Sequence, residues 1–255
     1  MKPTILLASG TYFNLERPNP DDIHIEDIAR ALSFICRYTG HVRQFYSVAQ
    51  HCVLASYVVP PHLALEALLH DAPEAYIGDV SAPLKAMLPD YRAVEARVEA
   101  AVAERFGLPL VQSPEVKHAD LVMLATEKRD LMPVTDEPWP VELTHPALPY
   151  HITPMNAEQA RHTFLDRFRW LMEVRARVTR YTCAICGRRT TPFVFIGTEA
   201  IGPKCAQRAG LTPAKTGKAR GHRLSFAKMP VRREAGPQTL DLFEALTKEE
   251  DGTLR

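Results

Sequence analysis

The stretch LLHDAPEAYIGDV, residues 68–80, constrains this chain more than any other. It sets His70, Asp71 and Glu74 on a helical segment whose neighbouring residues Leu68, Leu69 and Ala75 are apolar. Charged groups are costly to desolvate unless they are paired or bound to a metal. Residues three and four apart share a helix face, so the three side chains can point toward one place. A fold that accepts this segment must bring further ligands or counter-charges to that face.

The flanking sequence is built for helices. Residues 24–38 place Ile25, Ile28, Ala29, Leu32, Ile35 and Cys36 on one stripe at helical spacing. Residues 45–58 repeat the pattern with Val48, His51, Cys52 and Ala55, until Pro60 and Pro61 break it. Pro61 suits the first turn of a helix that is expected to run to Tyr76 or Ile77, with Gly78 as its stop. Residues 91–106 form an amphipathic helix closed by Gly107, and Ser113 with Pro114 opens another that carries KHADLVMLATE. Residues 131–154 hold six prolines and read as a long irregular connection before a last helix from Asn156. No β-alternation competes before residue 180, so an all-α domain is expected over residues 1–178.

Charge and cysteines divide the rest. From Val174 to Arg233 the chain carries arginines and lysines opposed only by Glu199, so the remainder is acidic by roughly a dozen charges. A small Cys-rich module is expected over residues 179–212, and a flexible basic linker and tail over 213–255. The five cysteines are an odd number, which argues against a disulfide framework and for a reducing cytoplasm. No apolar run reaches the roughly 18 residues needed to span a bilayer. The N-terminus is also a poor signal peptide.

His70 and Asp71 gain meaning from two distant residues, His51 on an apolar stripe and Asp120 beside another. Taken singly, His51 reads as a hydrogen-bonded core residue and Asp120 as a partner for Lys117. Together the four suit Mn, Fe, Co, Zn or Ni, because imidazole and carboxylate are ligands these ions accept side by side. Helix-borne ligands converging inside a bundle are one way to build such a centre.

The pattern His51 … His70-Asp71 … Asp120 resembles the signature of the HD-domain phosphohydrolases. The flanks ICRYTGHVRQFYSVAQH and LLHDAPEAYIGDVSAPLK are similar to the 5′-deoxynucleotidase-like branch, including phage-encoded members and phage dATP triphosphohydrolases. The likeness covers about residues 5–130 and leaves 179–255 unaddressed. It implies an all-α HD-domain helical bundle in which His51, His70, Asp71 and Asp120 hold one divalent metal (Mn, Co, Zn, Mg or Fe). It implies that Glu74 and Asp79 lie beside the water and the phosphate, and that Arg37 binds phosphate. An ordinary ion pair is the alternative for Arg37. His41, Arg43, Tyr46 and Lys85 complete the substrate-binding candidates, with a surface salt bridge as the alternative for Arg43. The implied reaction is release of phosphate from deoxynucleoside 5′-monophosphates. A deoxynucleoside triphosphate triphosphohydrolase of the dATP type is the alternative. A non-enzymatic replisome or nucleic-acid adaptor with a vestigial HD domain is the competing class, and a homo-oligomer is left open.

Cys183-x-x-Cys186 followed by Cys205 resembles part of a zinc ribbon or knuckle, and His222 is the nearest candidate for a fourth ligand. The surrounding basic residues, with Tyr181, Phe193 and Phe195, would suit single-stranded nucleic acid. QTLDLF, Gln238 to Phe243, resembles the short peptide by which bacterial replication proteins dock on the sliding clamp, with Gln238, Leu240, Leu242 and Phe243 as anchors.

Overall fold

A computed structural model describes residues 2–178, 184–188, 194–196, 199–201 and 203–208. Helices dominate these residues. One departure comes at the start, where β1 (Thr4–Leu6) pairs antiparallel with β2 (Tyr12–Asn14), Ile5 opposite Phe13. The domain is mostly helical, as expected, and this short hairpin is added to the helices. Strands of three residues are too short to show an alternating pattern.

Helix α1 (Ile25–Phe34) buries Ile28, Ala29 and Leu32, as its stripe requires. It ends before Ile35 and Cys36. Cys36 instead bridges Ser47, and the Val48 N–H donates to the Ile35 carbonyl at 3.1 Å. The residues between therefore form a loop closed at its base, where the Arg37 N–H donates to the Tyr46 carbonyl at 3.0 Å. Helix α2 (Val48–Val58) opens at Ser47, whose hydroxyl accepts the Gln50 N–H. Every residue from Val48 to Ser56 is buried. A helix apolar nearly all round belongs in a core, and α2 packs against α1, α3 and α7.

The segment expected as one helix to Ile77 is two: α3 (Ala64–Leu69) and α4 (Glu74–Ile77). Pro73 explains the break, since it has no N–H to give to Leu69. The chain tightens to three-residue bonds, with Ala72 N–H on the Leu69 carbonyl and Glu74 N–H on the Asp71 carbonyl, each at 3.0 Å. His70 and Asp71 thus sit at a break and not in mid-helix. Gly78 then ends α4 at φ 80° and ψ 160°.

Helix α5 (Ala82–Ala86) leads to α6 (Pro89–Phe106), closed by a left-handed Gly107. Helix α7 (Pro114–Leu131) starts after Ser113, but that hydroxyl does not cap it. It donates to Glu66 Oε2 at 2.7 Å while the Ser113 N–H donates to Oε1 at 2.6 Å, which ties α7 to α3. The proline-rich connection contains the short α8 (Pro140–Thr144). Helix α9 (Ala157–Val178) opens on a reciprocal cap, Asn156 and Gln159 each accepting the other's N–H.

The chain divides into two compact units, one running to Arg169 and the other beginning at Trp170. The described part of the second holds β3 (Val194–Ile196) antiparallel to β4 (Glu199–Ile201), then α10 (Pro203–Arg208). Among the described residues no helix is long and apolar enough to cross a membrane.

Candidate metal centre

Helix α2 supplies His51, the break after α3 supplies His70 and Asp71, and α7 supplies Asp120. His51 Nε2 lies 3.3 Å from His70 Nε2, 3.2 Å from Asp120 Oδ1 and 3.6 Å from Asp71 Oδ2. His70 Nε2 lies 3.3 Å from Asp71 Oδ2 and 3.9 Å from Asp120 Oδ1. Ligands bonded to one ion at about 2.1 Å stand roughly 3.0–3.4 Å apart; His51 to His70, His51 to Asp120 and His70 to Asp71 fall in that range, and the two longer separations lie somewhat beyond it.

The ring tautomers sharpen the argument. His51 Nδ1 faces Glu127 Oε1 at 2.6 Å, and His70 Nδ1 faces the Ala67 carbonyl at 2.7 Å. Each partner can only accept, so each Nδ1 carries the proton and, in a neutral ring, each Nε2 presents a lone pair. The two imidazole lone pairs and an Asp120 oxygen then face one another as acceptors, and beside them stands an Asp71 oxygen that also accepts from Arg37. A cation answers that arrangement, and the residues fit one. Without a cation, protons take the role. Burial opposes charge on His70, but Asp71 and a bond to Asp120 hold its pKa well above the usual histidine range. His51 is also raised, since Glu127 and Asp120 outweigh burial and the Arg37 charge. Burial works against ionisation of Asp120 too, yet hydrogen bonds from both histidines keep it well below the usual carboxylate range.

A cavity of about 250 Å³ opens beside the cluster, lined by His70, Asp71, Glu74, Lys85, Glu95 and Asp120 among others. Glu74 Oε2 is buried and makes no hydrogen bond. Burial, then Asp71 and Asp79, pushes the Glu74 carboxyl up to about 9. Asp79 is raised as well, by burial first and by Asp71. Lys85 reaches Glu95 at 2.5 Å across the same cavity.

The remaining sequence candidates are placed unequally. Arg37 donates through Nε to Glu127 Oε2 at 3.2 Å and through Nη1 to Asp71 Oδ2 at 3.4 Å, so it touches the cluster. Tyr46 is fully buried, and its hydroxyl donates to Glu127 Oε1 at 2.9 Å. Arg43 is bound to the end of α7, its Nη2 on the Asp130 carbonyl at 2.6 Å. His41 is exposed on the loop. Cys186 is exposed and Cys205 buried, while Cys183, His222 and the segment Gln238–Phe243 lie outside the described residues.

Sequence reasoning missed Glu127. Its side chain is completely buried yet its pKa is held down to about 2, because Arg37 and His51 outweigh the burial that opposes its charge. Its signal was available: Glu127 stands seven positions after Asp120 on α7, two turns along the same face.

A mostly helical protein with a buried histidine–aspartate cluster of metal-binding geometry is the class that these features define. The chain belongs to the family of the uncharacterized protein YfdR of Escherichia coli K12. It is 49% identical to that protein over 168 residues, 66% of this chain and 94% of YfdR. It is also 40% identical over 123 residues to an uncharacterized protein of Rhodobacter capsulatus, covering 44% of this chain and 63% of that one. No protein-family model matches the chain.

Proposed function

We propose that this protein is a metal-dependent phosphohydrolase of the HD type acting on deoxynucleotides, with 5′-monophosphates as the preferred substrates. One observation carries the reading: His51, His70 and Asp120 present acceptor atoms within metal-binding reach of one another, with Asp71 3.3 Å from His70, beside a cavity that also holds a protonatable carboxyl, Glu74. A divalent ion bound there supplies a Lewis acid that lowers the pKa of water and polarises a phosphoryl oxygen.

The protein's own groups do the rest. Glu74, whose buried Oε2 is uncommitted and whose carboxyl binds a proton more tightly than an ordinary carboxylate, would handle the proton of the attacking water. Asp79, also raised, would share the proton traffic toward the leaving group. Arg37 places a guanidinium beside Asp71, where it balances the cluster's negative charge and can engage a phosphoryl oxygen. Lys85 adds a second cation on the cavity wall. The Cys-rich module and basic tail would deliver this chemistry to a location: zinc held by Cys183, Cys186 and Cys205 with His222, single-stranded nucleic acid by the arginines and lysines, and the sliding clamp by Gln238–Phe243.

The test is a panel of deoxynucleoside mono- and triphosphates incubated with full-length protein and Mn, Co, Mg or Zn. Orthophosphate from monophosphates is expected. Tripolyphosphate from triphosphates would move the assignment to the triphosphohydrolase reaction. No release from any nucleotide with any ion would leave the adaptor reading.

A further inference from the structure

One buried carboxylate ties the cluster to the loop that carries Arg37. Glu127 Oε1 accepts from His51 Nδ1 at 2.6 Å and from the Tyr46 hydroxyl at 2.9 Å. Oε2 accepts from the Tyr38 hydroxyl at 2.5 Å and from Arg37 Nε at 3.2 Å. A carboxylate offers about four lone-pair sites, and all of them are used here. The partners sit on two pieces of chain, the loop after α1 and the start of α2, which Glu127 joins to α7.

The loop shows what this anchoring opposes. Tyr38 and Thr39 stand at φ 55° and 53°, and Gly40 follows at φ 81°. Consecutive left-handed residues other than glycine persist only where surrounding contacts hold them. Here the Tyr38 hydroxyl bond to Glu127 and the Arg37 pairings supply the hold.

We propose that Glu127 is a positioning residue with two arms: through Oε1 it fixes His51 in the Nδ1–H tautomer with Nε2 aimed at the ion, and through Oε2 it sets Arg37 for the substrate's anionic group. The inference rests on the reading of the cluster as a metal centre with Arg37 as its anion-binding arm. It adds a residue that touches neither ion nor substrate. A carboxylate behind a ligating histidine fixes the ring and raises its basicity, and its loss typically weakens metal binding ten- to hundredfold.

The experiment uses full-length protein, with Co²⁺ alone as the metal probe and inorganic phosphate as the anion probe. Glu127→Gln keeps the shape but turns one accepting oxygen into a donor. It should weaken Co²⁺ binding by about tenfold or more, shift the visible Co²⁺ spectrum, and weaken phosphate binding to the Co²⁺-loaded protein. Tyr46→Phe is the control: it removes a buried bond from the same oxygen but leaves His51 its partner. It should lower the unfolding temperature and leave Co²⁺ affinity near that of wild type. If Glu127→Gln binds Co²⁺ like wild type, or if both variants lose affinity in step with stability, Glu127 is only a packing element. Wild-type protein that binds no Co²⁺ would instead remove the metal-centre reading, and the inference with it. Should Glu127→Gln fail to fold, nitrogen-detected NMR of the histidine rings in Zn²⁺-loaded wild-type protein still decides. The proposal requires the proton of His51 on Nδ1 there, and an Nδ1 without a proton overturns it.

Discussion

At the scale of single residues, the site is a set of charges held where charge is expensive. Glu74 illustrates the consequence. Its pKa of about 9 against an ordinary 4.5 means that the folded protein binds this proton more tightly than the unfolded chain does. A carboxyl raised in this way contributes stability below its unfolded value, and that contribution is lost as pH rises toward the folded one. Between those values the ionisable group is a burden that Glu74→Gln removes. The metal-free variant should therefore melt higher than wild type at pH 8, and the difference should vanish at pH 4. Its nucleotide hydrolysis should fall by roughly a hundredfold or more, the usual weight of a general base. Scanning calorimetry at the two pH values tests the first half and initial rates test the second. Equal melting temperatures at pH 8 would show that Glu74 is not held in the environment described here. Sequence reading found this residue because an acid beside Ala75 in an apolar run is conspicuous. It missed Glu127 because Glu127-Lys128-Arg129-Asp130 looks like a solvated charge run. In the fold Glu127 and Lys128 are buried, and Asp130 accepts from Arg129, His151 and the Ile152 N–H.

At the scale of elements, the positions of ligands depend on where helices stop. Apolar spacing was enough to place α1, α2, α6, α7 and α9 to within a few residues. It could not show that Pro73 would split the helix carrying His70 and Asp71, because a helical stripe survives a tightened turn. Nor could it show the hairpin of β1 and β2, or the use of Ser113 by Glu66, which depends on packing between segments far apart in sequence. Gly78 matters at this level. It adopts φ 80° and ψ 160°, a conformation essentially restricted to glycine, immediately before Asp79. A Cβ there would meet no atom within 4 Å, so the penalty of Gly78→Ala is backbone strain and not a clash. The substitution should destabilise the protein by about 1–3 kcal/mol, read as a lower denaturant midpoint with an unchanged slope. It should also depress hydrolysis by displacing Asp79. An unaltered midpoint would mean that the turn relaxes freely.

At the scale of the whole molecule, the buried charges give the metal-free and metal-loaded forms opposite responses to pH. Asp120, Glu127 and Asp130 all have lowered pKa values, so they contribute stability above the ordinary carboxylate range that is lost as pH falls through their folded values. For Glu127 that window runs from 4.5 down to about 2. His51 and His70 have raised values, so their contribution is full below the ordinary 6.5 and is lost as pH rises through the folded values. Metal-free protein should thus be most stable on the mildly acidic side of neutrality. Metal binding needs both Nε2 atoms unprotonated, so stabilisation by added ion should grow from pH 5 to pH 8. Melting curves with and without Mn²⁺ across that range test the sign. An increment that shrinks with rising pH would contradict the histidine assignment.

The central claim is that His51, His70, Asp71 and Asp120 form one metal centre, and titration calorimetry of metal-free full-length protein with Mn²⁺ or Co²⁺ tests it most directly. The account predicts one ion bound at the cluster in wild type. In Asp71→Ala, which removes a charged ligand and leaves the fold's apolar contacts in place, that binding should weaken by at least about a hundredfold, and phosphate release should disappear with it. Asp71→Ala protein that takes up the ion with wild-type stoichiometry and affinity would contradict the account.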